Sequence, residues 1–200
     1  MEYSILIYLI LSIFCLLLGF LGGFLGIALG AIRLPVIILI GIEPILAAST
    51  NLLAVIFGSL AGVIPAIKQN RVPIKSTVSI SIPSMIVAFL GGYFAVQIHE
   101  SYLVIIMIIC LIISGVVMTF YKIGEQIVDD NKTSSIKEFF LGLIISYFGG
   151  IVGLALGVLR VPAMVYFLKM NIKKAGGINL FISVLVGISA YVGHSFSGSL

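Results

Sequence analysis

Six stretches of this chain carry no charged side chain, and each is long enough to cross a bilayer. They are residues 3–32, 44–67, 76–98, 101–121, 139–159 and 175–200. A helix rising about 1.5 Å per residue needs about 20 residues to span the hydrocarbon core. A water-soluble helix of that length needs a polar face, and these segments have almost none. Lipid excludes open sheets, and a barrel strand is shorter and alternates apolar with polar residues. With 61% of its residues apolar, 9% charged and a mean hydropathy of +1.31, the chain reads as all-α. The expected fold is a polytopic transmembrane helical bundle of the cell membrane, with the lipid bilayer as its solvent. Met1-Glu2-Tyr3 provides no basic leader and the apolar run behind it is long, so the first segment reads as a retained helix.

The chain then repeats itself. Residues 22–35, GGFLGIALGAIRLP, match residues 149–162, GGIVGLALGVLRVP, at an offset of 127. Eight of the fourteen positions are identical: Gly22/Gly149, Gly23/Gly150, Gly26/Gly153, Ala28/Ala155, Leu29/Leu156, Gly30/Gly157, Arg33/Arg160 and Pro35/Pro162. Chance likeness between apolar segments matches Leu with Ile; it does not set glycines, an arginine and a proline in register. One inserted residue further on, AASTNL at 47–52 lies opposite AGGINL at 175–180, which pairs Asn51 with Asn179. The expected organisation is a first repeat at 1–121, broken around 22–44, a polar linker at 122–137, and a second repeat at 138–200, broken around 149–175.

The spacing predicts helices at about 4–31, 35–42, 44–67, 76–98, 101–121, 137–157, 161–168 and 175–195. The motif-bearing pair with two plain helices makes an even number of spans, which predicts parallel rather than inverted repeats. The loop holding Lys68, Arg71 and Lys75 shares a face with the linker, favouring a cytoplasmic N-terminus by loop charge. Arg33, Arg160, Lys169, Lys173 and Lys174 fall near the other face in this count. The formal charge of +4 therefore concerns loops and orientation, and no nucleic-acid partner is expected.

A helix interrupted inside a bilayer leaves unpaired backbone groups, tolerated only where they face protein or a water-lined cavity. Helix starts at Pro35, Pro44 and Pro162 would aim positive dipole ends inward, which suits an anion. The expected substrate contacts are Gly26, Gly30, Pro35, Ser49, Thr50, Asn51, Gly153, Gly157, Pro162 and Asn179. The plain alternative for the glycines is close helix packing. Arg33 and Arg160 read either as helix-end charges satisfying carbonyls or as anion contacts, since a guanidinium matches oxyanion geometry. Asn51 and Asn179 either tie helices together or touch a ligand. Glu43 reads as a solvated helix end, His99 and His194 as interfacial residues, and Cys15 and Cys110 as small buried apolar groups. No catalytic constellation, metal cluster or cofactor motif is present, so no cofactor and no enzyme activity are expected.

The motif G-G-x-x-G-x-x-x-G-x-x-x-x-P followed by A-x-x-T-N at 47–51, duplicated in the second half, resembles the TauE/SafE family of sulfite-exporter-like permeases. The likeness covers residues 5–75 and 138–200, with 76–121 matching only as apolar helices. It implies two similar halves of about four helices and permeation of sulfite, sulfonates or related organosulfur anions. The family's fuller glycine run is reduced here to Ile27-Ala28-Leu29-Gly30 and Leu154-Ala155-Leu156-Gly157. Against the first copy, the second lacks counterparts of 76–98 and 101–121. The expected partners are thus a small anionic substrate, the bilayer, and either a second copy of the chain or a complementary half-protein. The competing expectation is a membrane scaffold that transports nothing.

Overall fold

The structure, a computed structural model, describes residues 30–120, 135–154 and 156–197, together with 13–15, 17, 18 and 21. Among the described residues the chain forms α1 (Gly30–Leu39), α2 (Pro44–Lys68), α3 (Ile74–Ala95), α4 (Glu100–Phe120), α5 (Ser135–Val152), α6 (Gly157–Phe167) and α7 (Ile172–Phe196). No strand occurs among them. Four helices, Pro44–Lys68, Ile74–Ala95, Glu100–Val117 and Ile172–Phe196, are long and apolar enough to cross a membrane. Their outward faces carry bare apolar side chains such as Phe57, Ile64, Ile82 and Ile112. Such faces need lipid as solvent. The protein is an all-α, polytopic membrane bundle.

Local chemistry sets the helix starts. Glu43 sits in extended backbone and Pro44 opens α2, where its fixed φ and missing N–H cost nothing. Asn171 caps α7 by accepting a hydrogen bond from the Lys173 amide at 2.8 Å. The short helices start elsewhere than expected. Half-helices beginning at Pro35 and at 161 were the expectation, but the chain is already helical from Gly30, α6 begins at Gly157, and both prolines lie inside. A proline one turn into a helix removes a single bond, so it does not define the break. In the second copy the break is made by Gly153, with φ +69°, and Leu156, with φ 42°.

α3 is the central helix, and it meets α5 and α7 at glycines. A Cβ added at Gly142 would lie 2.7 Å from the Ile80 carbonyl, one at Gly150 would overlap the Ala88 carbonyl, and one at Gly193 would overlap that of Phe89. These glycines serve close packing, the plain reading of such spacing. The same contacts fix directions. Along α5, Gly142 then Gly150 meet Ile80 then Ala88; along α7, Gly177 then Gly193 meet Arg71 then Phe89. α3, α5 and α7 therefore run parallel.

α2 and α7 run antiparallel: Leu180 packs with Val63 and Ala66, whereas Gly187 meets Leu52 and Ile56. This corrects the expected parallel relation, because α2 and α7 carry the equivalent residues Asn51 and Asn179. The physical reason lies in the hairpin of α5 and α6. A groove lined by Ile136, Lys137 and Phe140 together with Phe167 brings the end of α6 back beside the start of α5. The pair enters and returns on one side, so an even count of spans does not describe the topology.

A second correction follows. Gly177 lies against the backbone of Arg71, which puts Lys169, Lys173 and Lys174 on the same rim as Lys68, Arg71, Lys75 and Lys137. The opposite rim holds Glu43, His99 and Glu100 and no lysine or arginine among the described residues. Arg33 and Arg160 belong to neither rim, being 3% and 0% exposed inside the bundle.

Candidate functional site

The second motif copy folds as a tight polar knot. α6 starts where Gly157 faces Asn179; a Cβ there would stand 2.6 Å from Asn179 Nδ2, so any larger residue displaces the amide. One turn on, Arg160 donates from one terminal nitrogen (NH1) to Asn179 Oδ1 at 3.1 Å. It donates from the other (NH2) to Ser146 Oγ, also at 3.1 Å. Ser146 comes from the middle of α5, so the guanidinium joins three helices. Arg160, Asn179 and Ser146 are all 0% exposed, and an amide or guanidinium at that depth is tolerable only when bonded.

The first copy repeats the approach without the closure. A Cβ on Gly30 would lie 2.9 Å from Asn51 Nδ2, and Asn51 is 0% exposed. Its Nδ2 donates to the carbonyl of Gly153 at 2.8 Å, so an amide of the first copy holds the bend of the second. Gly153 suits that bend doubly: its φ of +69° disfavours any side chain, and a Cβ would overlap Ala48. Asn51 Oδ1 and the Arg33 nitrogens Nε and NH1 are buried without a partner.

Of the expected contacts, Gly30, Asn51, Gly153, Gly157 and Asn179 are thus drawn into two linked clusters with Arg160. Ser49 is buried, but its hydroxyl donates to the Ile45 carbonyl of its own helix at 3.0 Å. Thr50 is exposed and points away from Asn51. Pro162 is buried and Pro35 half-buried, each as a helix-interior residue. Gly26 lies outside the described residues. Sequence reading missed Ser146, whose only signal was a hydroxyl inside an uncharged run. His194 is buried rather than interfacial, with Nε2 3.2 Å from the Gly150 carbonyl. Two grooves of about 480 and 260 Å³ lie along α5 and α6. The second, lined by Ile106, Ile113 and Phe148 among others, is apolar and suits acyl chains, not an anion. No group of three or more metal-binding side chains occurs among the described residues.

A bundle of apolar spanning helices, interrupted by a hairpin whose bend is held by intramembrane amides, has the architecture of a membrane transporter. The family model for the sulfite exporter TauE/SafE matches residues 11–200, and the chain belongs to this family of membrane transporters. A similar curated protein is the probable membrane transporter protein YunE of Bacillus subtilis (strain 168). It is 24% identical over 217 residues, covering 96% of this chain and 79% of the relative. No solved structure matches.

Proposed function

We propose that this chain moves small anions, of the class of sulfite, sulfonates or other organosulfur anions, through a site between the two glycine-rich motifs. The halves at 1–121 and 138–200 are read as related units joined by the linker at 122–137. The observation that carries the reading is the bond from Asn51 Nδ2 to the Gly153 carbonyl. It joins the two motifs where two buried arginines supply positive charge that neutral packing does not need. Guanidinium groups in lipid are costly and are retained where they meet a partner or a passing ion. The family's name, sulfite exporter, points the same way on substrate class, and the description of YunE supports transport alone.

The test is uptake of labelled sulfite into proteoliposomes containing the purified chain, with Gly30→Ala and Gly157→Ala beside it. Each added methyl pushes on Asn51 or Asn179, so the expected result is flux that both substitutions reduce about tenfold. Flux unaffected by both would sink the site, and no anion flux from folded protein would leave the scaffold reading standing.

We also infer that the rim bearing Lys68, Arg71, Lys75, Lys137, Lys169, Lys173 and Lys174 faces the cytoplasm. In a background with Cys15 and Cys110 replaced by alanine, Gln97→Cys should react with an impermeant maleimide on intact cells, and Gln69→Cys should not. The reverse pattern would refute the orientation.

A further inference from the structure

We propose that the two buried arginines have divided duties: Arg33 with Asn51 receives the anion, while Arg160 is an internal strut. This rests on the anion-transport reading above and narrows it to one motif and one kind of ligand.

The argument is a comparison of equivalent atoms. In the second copy the terminal nitrogen NH1 of Arg160 is spent on Asn179 Oδ1 and NH2 on Ser146 Oγ; Nε is unpartnered in both copies, so the contrast lies in NH1. In the first copy the matching bond is missing from both of its ends: Arg33 NH1 and Nε have no partner, and neither does Asn51 Oδ1. Arg33 is 3% exposed and Asn51 0%, so bulk water does not satisfy them in this form. The offset that pairs the arginines sets Gly19 opposite Ser146, so the hydroxyl that holds Arg160 has no counterpart in the first copy. Arg33 lies one turn past Gly30, the glycine that abuts Asn51, and buried donors and an acceptor left unpaired there are unfavourable unless something fills them.

The pattern specifies the filler. Arg33 supplies positive donors for oxyanion oxygens. Asn51 Nδ2 is held by the Gly153 carbonyl, so the amide cannot turn, and its Oδ1 needs a donor. The fitting ligand is a small oxyanion that also carries an O–H or N–H: a protonated oxyanion such as bisulfite, or an amino-sulfonate such as taurine. A bare sulfonate such as methanesulfonate satisfies Arg33 and leaves Asn51 unpaired.

The experiment uses the full chain, in detergent for melting and in proteoliposomes for flux, with sulfite at mildly acidic pH, taurine and methanesulfonate as probes. Wild type should be stabilised and crossed by the first two about tenfold more effectively than by methanesulfonate. Arg33→Gln should abolish ligand stabilisation and cut flux at least about tenfold while leaving the ligand-free melting temperature at or above wild type. Arg33→Lys should keep part of both. Ser146→Ala should lower the melting temperature and keep the ligand response. Wild-type flux with Arg33→Gln equally active would overturn the division of duties and spare the transport reading. Equal response to all three anions would overturn the donor requirement. A wild type that moves none of them would overturn the transport reading itself.

Discussion

The environments of Arg33 and Arg160 begin from the same residues and end differently. Both arginines sit three residues past a helical glycine that abuts the asparagine of the next long helix. Around Arg160 both terminal nitrogens are bonded, to Asn179 and Ser146; on Arg33 NH1 has no partner, and Nε has none on either arginine. The same residues in sequence thus do not give the same energetics, because the terminal nitrogens of Arg160 find a hydroxyl on α5 and an amide on α7, whereas NH1 of Arg33 finds no partner. Closure makes a residue part of the scaffold, and openness leaves it available.

Five measurements of stability can break this comparison. The largest effect belongs to the point where the two regions touch. Gly153→Ala forces a side chain into left-handed backbone and against Ala48, for a loss of about 3 kcal/mol read in thermal or denaturant melts. Survival of Gly153→Ala with wild-type stability would mean the two motifs are not joined there. Next, Arg160→Gln removes the donors that serve Asn179 Oδ1 and Ser146 Oγ in a buried site, for about 2 kcal/mol. Arg33→Gln removes an unsatisfied buried charge and should cost nothing; equal losses from the two would erase the contrast. Ser146→Ala deletes one bond to Arg160 and should cost about 1 kcal/mol. Smallest of all, Thr50→Ala should stay within about 0.5 kcal/mol, since the side chain faces outward. A larger loss would return Thr50 to the site.

Much of the helix layout was legible because it depends on local rules. Among the described residues the uncharged runs from 44 onward located the long helices to within a few residues, and Glu43-Pro44 located the start of α2; the helix expected at about 4–31 lies outside the described residues for most of its length. What escaped depends on distant parts of the chain. No local pattern requires Leu156 to adopt φ 42°; that conformation is imposed by α6 turning back along α5. Once the turn is missed, a returning hairpin is counted as a crossing, and the direction of α7 relative to α2 comes out reversed. The lysines at 169, 173 and 174 were assigned to the wrong rim for the same reason. Ser146 and Ser49 are a matching pair of misjudgements. One hydroxyl was overlooked and reaches Arg160 on another helix, and the other was expected at the site and bonds its own backbone.

The antiparallel run of α2 and α7 carries a consequence for biogenesis. Two related segments pointing opposite ways give a fold that, by apolar surface alone, sits equally well either way up in a membrane. The insertion machinery must then read something other than hydrophobicity. Among the described residues the mark to read is the lysines on one rim, facing a rim with Glu43 and Glu100. Moving that charge from one end of the bundle to the other would leave every helix intact and turn the molecule upside down.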